Sequence, residues 1–193
     1  MLSNILSKKL SNTLYDCKVI QKEEIEAYDF CFAYLIDMSF YITFTLICGF
    51  LLNQFILSIL MLIVLISLRT FTGGVHAPSA SLCAVLSYSI TLLGIIMIPY
   101  FTPHVSSIAF PLLLLEYSII FLLAPVDTPN KRLDAIEKKL LRKKCRISCF
   151  ILFLIFLFFV YCNMTQYYCS IPICAIIPTT SLILGTYMNK KEK

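Results

Sequence analysis

The stretch FAYLIDMSFYITFTLICGFLLNQFILSILMLIVLISLRT, residues 32–70, decides the fold class. It holds two apolar runs, 32–52 and 55–70, joined at Asn53-Gln54, and Asp37 is its one charged side chain before Arg69. A helix of roughly 20 apolar residues spans the ~30 Å hydrocarbon core of a bilayer. Lipid offers no partner for backbone N–H and C=O groups, so such a run must satisfy them internally, as a helix does. The Asn-Gln break then reads as the tip of a tight helical hairpin.

Working outward, four more apolar segments follow at about 79–99, 105–125, 147–162 and 170–188. The second and fifth of the six are short for a full crossing. Breaks fall at Gly73-Gly74 with Pro78, at Pro99 and Pro103, at Pro125, and at Asn163, Thr165 and Gln166. Of the whole chain 59% is hydrophobic and 14% charged, against about 25% charged in an ordinary soluble domain. Mean hydropathy is +0.85. These features predict an all-α, polytopic membrane protein: one membrane domain over 1–193, with about six transmembrane helices in 32–188. A cleavable signal peptide is not expected, because residues 1–27 lack a continuous apolar run. That segment is instead amphipathic, with Leu2, Ile5, Leu6, Leu10 and Leu14 recurring opposite Lys8, Lys9 and Asn12. It suits a helix lying in the membrane interface, or a short helix packed on a partner.

Basic residues set the orientation. The 126–146 loop carries Lys131, Arg132, Lys138, Lys139, Arg142, Lys143, Lys144 and Arg146, and the two chain ends are also lysine-bearing. The gaps 100–106 and 163–169 contain no Lys or Arg. By the positive-inside rule both termini, the 69–78 loop and the 126–146 loop face the cytoplasm. The nine cysteines lie in or beside apolar runs and lack zinc-ligand spacing, so packing is their default reading; no metal or cofactor is expected, and no nucleic-acid partner.

The chemistry-bearing stretch is Arg69-Thr-Phe-Thr-Gly73-Gly74-Val-His76-Ala-Pro78-Ser79-Ala-Ser81-Leu-Cys83. A thiol attacks a carbonyl as thiolate, a form that an unperturbed cysteine populates to only a few per cent at pH 7. A neighbouring imidazole can take the proton and later return it to a leaving amine. Of the two histidines, His104 falls on the outer side and His76 on the inner side with Cys83. On one straight helix, residues seven apart lie about 10.5 Å apart along the axis. Contact therefore requires His76 on a loop, which Gly73-Gly74 and Pro78 permit, with Pro78 suited to the first helical position. Two readings stand on these residues alone: a Cys/His nucleophilic site, or a packing cysteine beside a polar loop.

His76-Ala77-Pro78-Ser79 with Cys83, preceded by Arg69 and Gly74, resembles the signature of the AgrB family, the accessory gene regulator proteins of Gram-positive peptide quorum sensing. Ala124-Pro125-Val126 followed by the basic run, the span count and the amphipathic start extend the likeness over nearly the whole chain. The resemblance implies that His76 and Cys83 are the catalytic pair of a cysteine endopeptidase in the bacterial plasma membrane. It implies that the enzyme removes the C-terminal tail of an AgrD-like propeptide through an acyl-enzyme thioester, leaving a thiolactone or lactone ring, and that the chain works as a homodimer.

Several residues are candidates for supporting roles. Arg69 matches a family position and can pair with a substrate carboxylate, or anchor a span end. Gly73 and Gly74 allow close backbone approach, Ser79 belongs to the motif, and Asp37 can orient the imidazole. Glu116 lies within an apolar span without an evident role. Lys138, Lys139, Arg142, Lys143 and Lys144 contact either anionic membrane lipids or an acidic substrate tail. The competing functional class is a small membrane transporter or peptide exporter without proteolytic activity. Against it, no internal repeat or nucleotide-binding loop is visible.

Overall fold

The computed structural model describes residues 2–75, 79–127 and 133–191. It is all-helical, with α1 Leu2–Asp16, α2 Ile25–Leu51, α3 Phe55–Thr72, α4 Ala80–Val105, α5 Ala109–Leu123, α6 Ala135–Tyr161 and α7 Thr165–Lys191. Among the described residues the only extended pairing is a single bridge between Gly73 and Val126. Five helical segments are long and apolar enough to cross a membrane: Lys22–Leu51, Phe55–Thr72, Leu82–Val105, Ala135–Tyr161 and Thr165–Asn189. The protein is a multi-pass membrane protein. A further apolar helix, α5, has 15 residues, about 22 Å of rise against ~30 Å of hydrocarbon.

The chain divides into two compact units, Met1–Ile47 and Cys48–Lys193. In the first, α1 buries a stripe of Ser3, Ser7 and Ser11, while Ile5 stays 69% exposed and Leu6 and Leu10 are open as well. The Ser7 hydroxyl donates to the Asp29 carboxylate of α2. Small polar residues thus form the packed face, and the apolar face is left outward, as an interfacial helix requires.

In the second unit α7 is the hub, packing against α3, α4, α5 and α6. The seams follow 4-3-4 spacing: Leu57, Met61, Val64 and Leu68 on α3, and Cys145, Cys149, Leu152 and Phe156 on α6, all buried. That repeat keeps one stripe of a helix facing its partner. Cys145, Cys149, Cys169 and Cys174 are packing residues in this core. At the far end from Arg69, the Gln54 and Gln166 side chains hydrogen-bond to one another.

Three boundaries differ from the sequence reading. Helix α4 runs through Pro99 and Pro103 to Val105, where the prolines alone suggest a break. Each proline removes one backbone donor, which frees only the carbonyls of Ile95 and Pro99 four residues earlier, so the helix continues through both. Because α4 takes those residues, the fourth apolar segment is the 15-residue α5, while the fifth, short by sequence, lies within the 27-residue α6 and the second is the 18-residue α3. The basic stretch is not a loop throughout: α6 begins at Ala135, capped by Asp134 and Glu137 in a reciprocal capping box. The lysines and arginines that follow are good helix formers, so 135–146 forms the first three turns of α6.

Candidate active site

Helix α3 ends where Gly73 takes φ 71° and Gly74 φ 110°, backbone conformations that only glycine adopts without strain. A Cβ on Gly73 would sit 2.4 Å from the Val126 carbonyl oxygen, and one on Gly74 2.8 Å from both the carbonyl oxygen and the hydroxyl of Ser181. The two glycines therefore let the backbone lie flat against the segment after α5 and against α7. The carbonyl of Thr72, one of the orphans at the end of α3, accepts from the Val126 N–H at 3.0 Å.

The next residues are held from three sides. Val75 N–H donates to the Ser181 carbonyl at 3.3 Å. The Arg69 guanidinium donates to the Gly73 carbonyl at 3.1 Å, to the Ser181 hydroxyl and to the Val75 carbonyl. Ser181 Oγ also donates to the Val75 carbonyl at 3.3 Å. Arg69 lies within electrostatic reach of Cys83 as well.

His76 and Pro78 lie outside the described residues. The chain is described again at Ser79, which caps α4: its hydroxyl accepts from the Leu82 N–H at 3.2 Å. The first helical position after that cap is Ala80. Cys83 falls in the first turns of α4, half-buried, with its N–H donating to the Ser79 carbonyl at 3.0 Å. The start of a helix favours negative charge, as a thiolate carries. His104 is 21 residues further along α4, about 30 Å away by helical rise, so it cannot serve Cys83.

The remaining candidates scatter. Asp37 is exposed on α2, in the first unit. Lys138 is tied to Asp127 by an ion pair of 2.9 Å, while Lys139, Arg142, Lys143 and Lys144 are exposed on α6. Glu116 is buried, and neither carboxylate oxygen has a hydrogen-bond partner among the described residues. Sequence reasoning missed Ser181, Asp127 and Asn189, and it marked Val126 only as part of the Ala124-Pro125-Val126 motif. The Asn189 side chain donates to the Asp127 carbonyl at 2.8 Å, and Asp127 Oδ1 accepts from the Leu133 N–H at 3.4 Å. No local pattern marks Ser181 or Asn189, because their partners lie far away in sequence. Among the described residues no group of His, Cys, Asp and Glu is arranged to hold a metal ion.

The sequence model of the family described as Accessory gene regulator B matches residues 3–184. An AgrB-like protein of Clostridium perfringens strain SM101 is 31% identical over 150 residues, covering 74% of this chain and 68% of that relative. A second AgrB-like protein, from Clostridium perfringens strain 13, is 28% identical over 176 residues, covering 88% and 78%. No solved structure matches the chain.

Proposed function

The chain belongs to the Accessory gene regulator B family, and from that premise we propose that it is a membrane cysteine endopeptidase that trims and cyclises an AgrD-like quorum-sensing propeptide. The observation that carries this reading is the setting of Cys83. It is a half-buried thiol in the first turns of a capped helix. It also shares one end of the bundle with the clamped 73–75 backbone, which leads directly into His76.

In the proposed reaction His76 takes the thiol proton, and Cys83 Sγ attacks the carbonyl carbon of the bond before the precursor's tail. The C–N bond breaks as His76 returns the proton to the leaving amine, giving a thioester and the free tail. A Cys or Ser side chain of the retained peptide, giving its proton to the now neutral His76, then attacks the thioester carbonyl. Cys83 leaves as thiolate, and the product is a thiolactone or lactone. Water must be held off during the second step, or hydrolysis competes with ring closure. Purified protein in proteoliposomes should release the tail from a synthetic precursor and yield a product lighter by one water than the linear trimmed peptide. Recovery of only intact precursor, with wild-type protein correctly inserted, would refute the activity.

In this reading both termini and Cys83 face the cytoplasm of a bacterial cell. Cysteine labelling tests that arrangement with residues whose exposure suits it. Cys169 is fully buried, whereas Cys162 and Cys17 are exposed. An impermeant maleimide added to intact cells should label a variant whose sole cysteine is Cys162, and leave one whose sole cysteine is Cys17 unlabelled until the cells are opened. Labelling of Cys17 from outside would invert the topology.

The exposed cations of α6 are proposed to receive the acidic tail of the precursor. Lys138 is already paired with Asp127, so the docking set narrows to Lys139, Arg142, Lys143 and Lys144. Replacing these four by Gln should raise KM for the full precursor about three- to tenfold and spare a precursor whose tail acids are neutralised. The effect should shrink at high salt, since exposed charges are screened beyond about 8 Å at physiological ionic strength. Equal losses for both precursors would assign the cations to lipid instead. This cycle isolates the coupling between the two sets of charges. A homodimer is likewise part of the proposal, and crosslinking in membranes reports on it.

A further inference from the structure

We propose that Arg69 and Ser181 act together as a latch that sets the backbone leading into His76, so that the last helix is a working wall of the active site. The inference rests on the proposed function and adds positioning residues to it. Three observations carry it. The Arg69 guanidinium reaches two carbonyls, of Gly73 and Val75, and the Ser181 hydroxyl between them. Ser181 meets the same segment twice more, its carbonyl accepting from Val75 N–H and its hydroxyl donating to Val75 O. Gly74 and Gly185 bring the loop and α7 into direct contact: a Cβ on Gly185 would lie 3.0 Å from Gly74 Cα.

A planar guanidinium fork holds such divergent acceptors in one fixed geometry, whereas a lysine ammonium is a compact point charge on a flexible stem. Three of the five donors of Arg69 are thus engaged with its own chain, which favours positioning over gripping a substrate carboxylate. Val75 is covalently next to His76, so an error in its placement passes directly to the imidazole. Misplacing a catalytic group by about 1 Å costs on the order of 100-fold in rate.

The test uses the full-length protein in nanodiscs and three variants, Arg69→Gln, Arg69→Lys and Ser181→Ala. Amide hydrogen exchange at Val75 should accelerate at least about tenfold in Arg69→Gln and Ser181→Ala, while amides of the α3 and α6 cores keep their protection. In cleavage assays kcat should fall about 10- to 100-fold with KM within twofold, equally for precursors with acidic and neutralised tails. Arg69→Lys keeps the charge but not the fork, and its kcat should stay within about threefold of the Gln variant. Ser181→Ala removes only a hydroxyl, so it serves where the Arg69 variants fail to insert. Unchanged Val75 exchange in Ser181→Ala, or a rise in KM confined to the acidic-tailed precursor with kcat intact, would overturn the latch. The exchange arm needs no substrate. Wild-type protein that fails to cleave would refute the proposed function, while the exchange result still judges the latch.

Discussion

Cys83→Ala is expected to lose precursor cleavage by at least about 1,000-fold, while expression, insertion and helix content stay at wild-type levels. Removing a nucleophile eliminates the covalent route outright, and what remains is only binding and whatever stabilises the oxyanion. The side chain is half-buried near the start of α4 and does not belong to the buried core, which is built from Leu57, Met61, Leu68, Phe156 and Leu182 among others. Trimming it to a methyl therefore costs little packing. Comparison with Cys149→Ala sharpens the point: that thiol is buried in the core, so its loss should lower thermal stability and leave the chemistry in place. Cleavage and circular dichroism measured on both variants separate the two roles. Wild-type cleavage by Cys83→Ala would dismiss it as the nucleophile.

Gly74→Ala is expected to have the second largest effect. The residue sits at φ 110°, and an added Cβ would lie 2.8 Å from the carbonyl oxygen of Ser181. That oxygen is backbone within α7, so it cannot step aside as a flexible side chain would. Strain of this kind costs about 1–3 kcal/mol, and overpacking adds a comparable amount. The loop should relieve it by leaving α7, with the loss of the Val75–Ser181 bonds and of at least about 100-fold in cleavage. Gly94→Ala is the contrasting case. There the new Cβ would press on the far end of the Met61 side chain, its terminal methyl at 2.4 Å and its sulfur at 3.3 Å, and a methionine tip can rotate away. Gly94→Ala should cleave within about threefold of wild type. If Gly74→Ala did the same, close approach of the loop to α7 would be irrelevant to activity.

Much of the fold is legible in single residues and runs because the bilayer imposes a simple rule on sequence. The 55–70 run and the Asn53-Gln54 break correspond closely to α3 and the turn before it, since hydropathy and hairpin breaks are local signals. Proline is a weaker guide in lipid than in water: Pro99 and Pro103 lie inside α4, because a membrane helix tolerates the loss of an occasional backbone donor. The basic segment misleads for a different reason. Charge marks it as solvent-facing, which it is, but charge says nothing against helix, and the Asp134–Glu137 box starts one.

The candidate site divides the same way. Cys83, Ser79 and the two glycines are conspicuous because they cluster within a dozen residues and each has an unusual backbone or chemical property. Ser181 is invisible from sequence: it lies 112 residues from Arg69, on a helix where its hydroxyl looks like any other small polar group. Val126 works through its backbone, which carries no residue-type signature, and nothing in the sequence says which cation the Asp127 carboxylate will meet.

The central claim, covalent catalysis by Cys83, is tested most directly by trapping the acyl-enzyme. A precursor whose ring-closing Cys or Ser is replaced by Ala can still be attacked but cannot displace the enzyme. Incubated with wild-type protein and quenched in acid, it should leave the trimmed peptide attached, minus one water, to the peptide containing Cys83, and hydroxylamine should release it as expected for a thioester. Release of the tail with Cys83 unmodified, or an adduct on any of the other eight cysteines, would contradict the account.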